Sequence, residues 1–371
     1  MNKLKIALVK QEVYQDLYVC PVTEKDPGQI LFSSMGRVGP IALMSDLNAD
    51  FYIVKEESNK ETRIYQKVIP HIAPYLHLLK TETLDKIPGQ EFKSPGSPYP
   101  NGKYAVSCYT IDWGQYDIVI SINISLPTQL ILKYPQTLFA YMIGEANMAT
   151  GKARFGYDAT LNQMARGRIS HKCGAIDFPY TFVAKDTLEK IMQQYLGRPS
   201  ARKGIFMEIN STTERPVTRI PDHFQPLADA GYEIILHQQK IADNLKNIYD
   251  AKYFVKMGGR SIRGNSVAEA VSLGTLAIMN RDEVIHHELI IDECNVKTMD
   301  EMISLINRLE NDPELYRTLQ QKQRQVLHTY FFDAPLQSLI NCLKKKRGLS
   351  KPRTYSRWNR LFDNLYFLKL R

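Results

Sequence analysis

The stretch Met257-Gly-Gly-Arg-Ser-Ile-Arg-Gly-Asn-Ser-Val-Ala-Glu-Ala-Val-Ser-Leu-Gly-Thr-Leu-Ala-Ile-Met279 reads as a strand end, a glycine-rich loop, a short helix and a second strand. Its composition suits a phosphate. Gly258, Gly259 and Gly264 let backbone amides approach a ligand closely, and Asn265 and Ser266 open a helix whose first N–H groups lack intrahelical partners. Ser266 is a good N-cap, Arg260 and Arg263 supply counter-charge, and Gly274 can stop the helix by taking positive φ. Ser266-x-x-Glu269 is also a capping box, and Val267, Ala270 and Val271 make a buried stripe. The two readings are compatible, since amides beyond the cap remain available to a ligand. The stretch has neither the Gly-x-Gly-x-x-Gly order of a dinucleotide site nor the Gly-Lys-Ser/Thr of a P-loop, which argues against dehydrogenases and NTPases.

Outward from this stretch the same alternation of short apolar runs and helical patterns recurs, so the fold class is α/β with parallel sheets. Strands are expected at 5–9, 51–54, 118–122, 138–143 and 175–179, then at 204–209, 232–237, 253–256 and 276–279. Residues 81–104 hold Pro88, Pro95, Pro98 and Pro100 among several glycines and read as a surface loop. A helix is expected over 185–196, followed by Gly197-Arg-Pro-Ser-Ala-Arg-Lys-Gly204, which has the composition of an interdomain linker and a closure hinge. The expectation is two Rossmann-like domains facing a cleft, residues 1–200 and 201–335, with a C-terminal helical extension over 336–371. Met302, Leu305, Ile306 and Leu309 follow the helical period, and Pro313 starts another helix.

The chain has 371 residues, 44% hydrophobic and 23% charged, with net charge +9. That excess lies at one end: residues 341–371 carry ten Lys or Arg against the single acid Asp363, while the remainder balances 38 against 38. A neutral body with a basic tail excludes a protein-wide nucleic-acid surface and suits contact with an anionic membrane. Within the tail, Trp358, Leu361, Phe362, Leu365 and Leu368 stand at helical spacing beside Arg353, Arg357 and Arg360. Packing of this amphipathic segment on the first domain is the competing destination. Five widely spaced cysteines without Cys-x-x-Cys indicate no disulfide framework or zinc module. No run reaches the 18 apolar residues of a membrane span, so the expected location is cytoplasmic, with peripheral attachment at an inner membrane face left open.

The segment Ser266, Ala268-Glu269-Ala270, Gly274-Thr275 and Leu276 to Met279 resembles the C-terminal domains of the GT-B glycosyltransferases. The resemblance in layout covers residues 1–345, including helices after the last strand that cross back to the first domain. It implies that the loop and helix start bind the diphosphate of a nucleotide-sugar and that Glu269 holds the ribose hydroxyls. Many retaining members carry a second Glu eight positions earlier; here Ser261 stands there, which removes the main support for retention. An inverting enzyme needs a general base on the first domain. Glu145 is the first candidate, because Gly144-Glu145 follows the buried run at 138–143; His171 and Asp177 are alternatives.

His286-His287-Glu288 reads as an exposed loop or helix start rather than a metal site, and the absence of Asp-x-Asp removes the usual ligand pair of metal-dependent transferases. Arg215, in the loop Asn210-Ser-Thr-Thr-Glu-Arg215, is a further donor-binding candidate. The expectation is therefore a metal-independent glycosyltransferase without cofactor, using a nucleoside diphosphate sugar as donor and a glycan or glycolipid as acceptor, with surface polysaccharide or glycoconjugate biosynthesis as its setting. A non-catalytic carbohydrate- or nucleotide-binding module on the same fold is the alternative.

Overall fold

The computed structural model describes residues 4–11, 49–54, 76–79, 111–122, 126, 128–143, 156–162, 176–178, 187–208, 217–238, 241–258, 265–349, 351, 354 and 357–358. Its described residues fall into two compact units, one of residues 4–178 and 334–358, the other of residues 187–333. Each is an α/β layer structure, as the alternating pattern predicts.

The first unit is built on strands β1 (Ile6–Gln11), β2 (Asp50–Val54), β3 (Leu76–Leu79), β4 (Ile118–Ile122), β5 (Leu138–Ile143), β6 (Ala159–Asn162) and β7 (Ile176–Asp177). They pair in parallel in the order β3-β2-β1-β4-β5-β6-β7, the doubly wound arrangement in which the chain starts at the centre and winds first to one side, then to the other. Ile6, Ala7, Leu8 and Val9 are all buried, as are Ile118, Val119 and Ile120, because a parallel sheet covered on both faces demands apolar side chains in continuous runs rather than in alternation. A short helix α1 (Thr128–Lys133) joins β4 to β5.

The second unit contains α2 (Thr187–Leu196), β8 (Ile205–Met207), α3 (Gln225–Asp229), β9 (Ile234–Ile235), α4 (Ile241–Asp250), β10 (Tyr253–Lys256), α5 (Asn265–Ser272), β11 (Leu276–Met279), α6 (Met299–Asn311) and α7 (Pro313–His328). Its four strands pair in parallel in the order β11-β10-β8-β9. Alternate side chains feed two cores. Phe206, Phe254 and Ala277 meet α4 and α5 on one face, while Ile205, Val255 and Ile278 meet α6 on the other. Edge strand β11 is covered by the buried Gln323 of α7, whose amide accepts from Ala277 N at 2.9 Å and donates to Ala277 O at 2.7 Å. Thr298 and Glu301 form a capping box on α6, and Asp312 caps α7 ahead of Pro313, where the sequence places the helix start.

After α7 comes a π-helical turn, Thr329–Asp333, and then α8 (Ala334–Arg347), which belongs to the first unit. Lys346 Nζ donates to Asp158 Oδ2 at 2.7 Å and Thr137 O at 2.6 Å. Arg347 donates to Asp117 Oδ1 at 2.7 Å and Gln136 O at 3.0 Å.

Three expectations need correction or refinement. Helix α2, assigned to the first half by the sequence, packs Leu188 and Met192 into the second unit. The segment Gly197–Gly204 is no free linker. Arg198 makes a two-pronged pair with Asp250 at 2.7 and 2.6 Å, Ala201 N donates to Asp250 Oδ1 at 3.1 Å, and Lys203 N donates to Asp250 O at 2.8 Å, so the segment is bound to the end of α4. His286 is wholly buried rather than exposed, because its ring packs edge-on against Phe331 and Tyr330, more than forty residues later. The loop at 81–104 lies outside the described residues.

Candidate functional site

In the second sheet β8 leads to β9 on one side and β10 lies on the other, so the direction of winding reverses between β8 and β10. In open parallel sheets such a reversal opens a crevice at the carboxyl ends of the two strands, where ligands bind. The chain leaves β10 at Lys256 and passes Met257 and Gly258 toward α5. Gly258 has φ +71°, the left-handed region that glycine adopts without Cβ strain.

Helix α5 is fixed by its apolar face. Val267, Ala268, Ala270 and Val271 are buried against β10 and β11, while Ser266 and Glu269, three residues apart and hence on one stripe, stay partly exposed. The helix begins at Asn265, so Ser266 stands in its first turn rather than at the N-cap. At the far end Gly274, φ +79°, closes the helix: Thr275 N bonds Ala270 O at 2.8 Å and Gly274 N bonds Val271 O at 3.0 Å, the paired Schellman pattern. Positive φ at Gly274 is what the sequence predicts.

Two guanidinium groups hold that end. Arg202 donates to Leu273 O at 2.5 Å, Thr275 Oγ1 at 3.1 Å and Glu189 Oε1 at 3.0 Å, and Arg324 donates to Ser272 O at 3.2 Å and to Glu189. Cations on the last carbonyls complement the helix dipole, whose positive end is then directed to the loop side of the sheet. Burial lowers the Arg202 pKa, and the Glu189 carboxylate opposes that shift.

The carboxyl edge of this sheet also carries ionisable residues that the sequence reading did not single out. Glu208 follows β8 and His237 lies two residues past β9. Both are buried, with Nε2 to Oε1 at 3.8 Å, and Asn244 Nδ2 lies 3.2 Å from His237 Nδ1. Lys256 ends β10, completely buried, 2.6 Å from Glu283 Oε2. The available signal was an ionisable residue directly after an apolar run, as in Ile205-Phe-Met-Glu208 and Tyr253-Phe-Val-Lys256.

Of the expected donor-site residues, Ser266 and Glu269 share the partly exposed stripe of α5, and Asn265 begins the helix. Arg215, Arg260, Arg263 and Gly264 lie outside the described residues, as do Glu145 and His171; Asp177 ends β7. Among the described residues no group of three or more His, Cys, Asp or Glu side chains is arranged to hold a metal ion. No described helix is long and apolar enough to cross a membrane.

No family model matches the chain, and no curated protein matches it. Solved structures similar to it include the N-terminal domain of Candida albicans trehalose-6-phosphate phosphatase, at 11% identity over 92% of this chain and 97% of that one, with TM-score 0.48. Sucrose-phosphate synthase from Thermosynechococcus elongatus is 13% identical over 92% and 98%, with TM-score 0.42. T4 phage β-glucosyltransferase is 12% identical over 93% and 100%, with TM-score 0.40.

Proposed function

We propose that the protein is a GT-B-type glycosyltransferase that moves a sugar, a hexose or a close relative, from a nucleoside diphosphate donor to a hydroxyl of a glycan or glycolipid acceptor. The observation that carries this reading is helix α5. It follows the strand at the winding reversal, its C-terminal carbonyls are neutralised by Arg202 and Arg324, and Ser266 and Glu269 lie together on its partly exposed stripe. The helix N-terminus with Asn265 and Ser266 would hold the diphosphate, Arg215, Arg260, Arg263 and the Gly264 backbone would complete its cradle, and Glu269 would accept hydrogen bonds from ribose hydroxyls. Charge building on the departing diphosphate is thereby stabilised by dipoles and guanidinium groups, so the reaction proceeds without a metal.

In this mechanism Glu145 takes the proton of the acceptor hydroxyl as its oxygen attacks the anomeric carbon, and the nucleoside diphosphate leaves from the opposite face with inversion. A lipid-linked acceptor in polysaccharide or glycoconjugate assembly would bring the protein to the inner face of a membrane, where the basic tail fits the anionic surface.

A melting-temperature screen with UDP, GDP, CDP and their sugars tests the donor site, because a ligand bound by the folded state alone raises apparent stability. The Glu269→Gln variant should then bind the selected nucleotide-sugar about tenfold more weakly with its ligand-free melting temperature unchanged. Lower stability with undiminished affinity would reduce Glu269 to a structural role. Slow release of nucleoside diphosphate from the donor alone separates a transferase from a binding module. Glu145→Gln should cut turnover by about a hundredfold or more with little change in donor affinity, as expected for a lost proton acceptor. Near-normal turnover would move the base to His171 or Asp177.

A further inference from the structure

The ion pair at the carboxyl edge of the second sheet, between the buried Lys256 and the half-buried Glu283, touches the glycine-rich loop at its start. Lys256 Nζ donates to Gly258 O at 2.5 Å and lies 2.6 Å from Glu283 Oε2, while Glu283 Oε1 accepts from Gly258 N at 3.0 Å. Both backbone polar groups of Gly258 are therefore engaged, one by each member of the pair. A Cβ on Gly258 would meet no atom within 4 Å, so glycine stands there for its φ of +71° and not for want of space. Glu283 belongs to a braced turn after β11. The Asn280 side chain accepts from Asp282 N at 3.0 Å, Arg281 N donates to Asn295 Oδ1 at 2.9 Å, and the Arg281 guanidinium grips Ile290 O at 2.9 and 2.6 Å.

We propose that Glu283 is a positioning residue for the donor site. By accepting the Gly258 N–H it sets the left-handed departure from β10 from which the chain runs to the N-terminus of α5, and Lys256 neutralises its carboxylate inside the protein. The inference rests on the donor-binding reading of that loop and helix. It makes diphosphate affinity depend on a residue that does not touch the ligand, through one hydrogen bond to a loop amide.

Removing Glu283 alone leaves Lys256 buried and unpaired, and removing Lys256 alone leaves a half-buried carboxylate without its cation, so either would lower stability for a trivial reason. The informative comparison is between two neutral pairs, K256M/E283Q and K256M/E283L. They match closely in size, and only the glutamine keeps an oxygen for the Gly258 N–H. The probe is whichever of UDP, GDP and CDP raises the melting temperature of the wild type most, with Kd measured by calorimetry. The Gln pair should bind within about threefold of wild type and the Leu pair about tenfold more weakly or worse, with ligand-free melting temperatures within a few degrees of each other. Equal affinities in the two variants would overturn the positioning role and leave the pair as packing alone. Failure of the wild type to bind any of the three would instead overturn the donor reading, and this inference with it, before any variant is compared. Should the Leu pair not fold, Glu283→Asp keeps the charge beside Lys256 and withdraws the carboxylate by one methylene. It too should weaken binding about tenfold, and unchanged affinity would refute the proposal.

Discussion

Gly274 shows how tightly single residues are committed. Its φ of +79° costs an L-residue about 1–2 kcal/mol, and a Cβ there would sit 2.5 Å from Arg202 Nη2. That guanidinium carries hydrogen bonds to Leu273 O and Thr275, so any substituent displaces it from the end of α5. Gly274→Ala should therefore destabilise the protein by about 2–4 kcal/mol, read as a lower urea midpoint with unchanged slope. Its nucleotide affinity should fall as well, since the helix it loosens is the one that presents Ser266 and Glu269. Gly258 is a different case: a Cβ there would meet no atom within 4 Å, so its substitution should cost only the positive-φ strain of about 1–2 kcal/mol, without displacing a partner. The sequence displays both glycines alike. It does not display Arg202, which has φ +48° and lies half-buried with partners at Glu189, Tyr249, Leu273 and Thr275.

At the level of elements, two docked segments hang on carboxylates. Burial alone would raise Asp117, but the Lys5 amide and the Arg347 guanidinium outweigh it and hold its pKa below the usual carboxylate value. Asp250 behaves likewise under Arg198 and the Ala201 amide. A pKa depressed in the folded state contributes stability that is present above the unfolded value, near 4, and is lost as pH falls through the folded value. The docking of α8 and of Gly197–Gly204 should thus weaken below about pH 4, seen as a falling urea midpoint between pH 5 and 3. Asp117→Asn should start lower at pH 7 and decline less steeply. The elements themselves were readable where physics is local. Ile118–Ile122, Leu138–Ile143, Tyr253–Lys256 and Leu276–Met279 have the expected bounds, because strands buried on both faces need unbroken apolar runs. Leu76-His-Leu-Leu79 and Ala159-Thr-Leu-Asn162 were missed, being four residues long with polar or small members and held in place by neighbours in the sheet. The same holds for the candidate site: the α5 stripe was legible, whereas the Lys256–Glu283 pair spans a whole helix and strand of sequence. Composition marked Gly197–Gly204 as a linker because its partner, Asp250, stands some fifty residues away.

Across the whole molecule, the tail divides at the end of α8. Lys346 and Arg347 are engaged with Asp158 and Asp117, but Lys344 and Lys345 are exposed, and beyond them Leu349 and Trp358 are 52% and 68% exposed. Removing residues 349–371 spares the packed pairs and deletes six basic residues, each contributing about 1 kcal/mol near an anionic surface. The shortened protein should lose salt-sensitive binding to anionic vesicles while keeping its melting temperature and donor affinity. Aggregation, or a melting temperature lower by about 5 °C or more, would assign the tail to the core instead. The return of α8 to the first unit has a temporal meaning too. The described residues of the second unit all lie between 187 and 333, whereas the first cannot receive α8 until residues 334–347 have been made. As the chain emerges from the ribosome, the sheet synthesised first must wait for its last helix, and the domain translated second can be the first to finish folding.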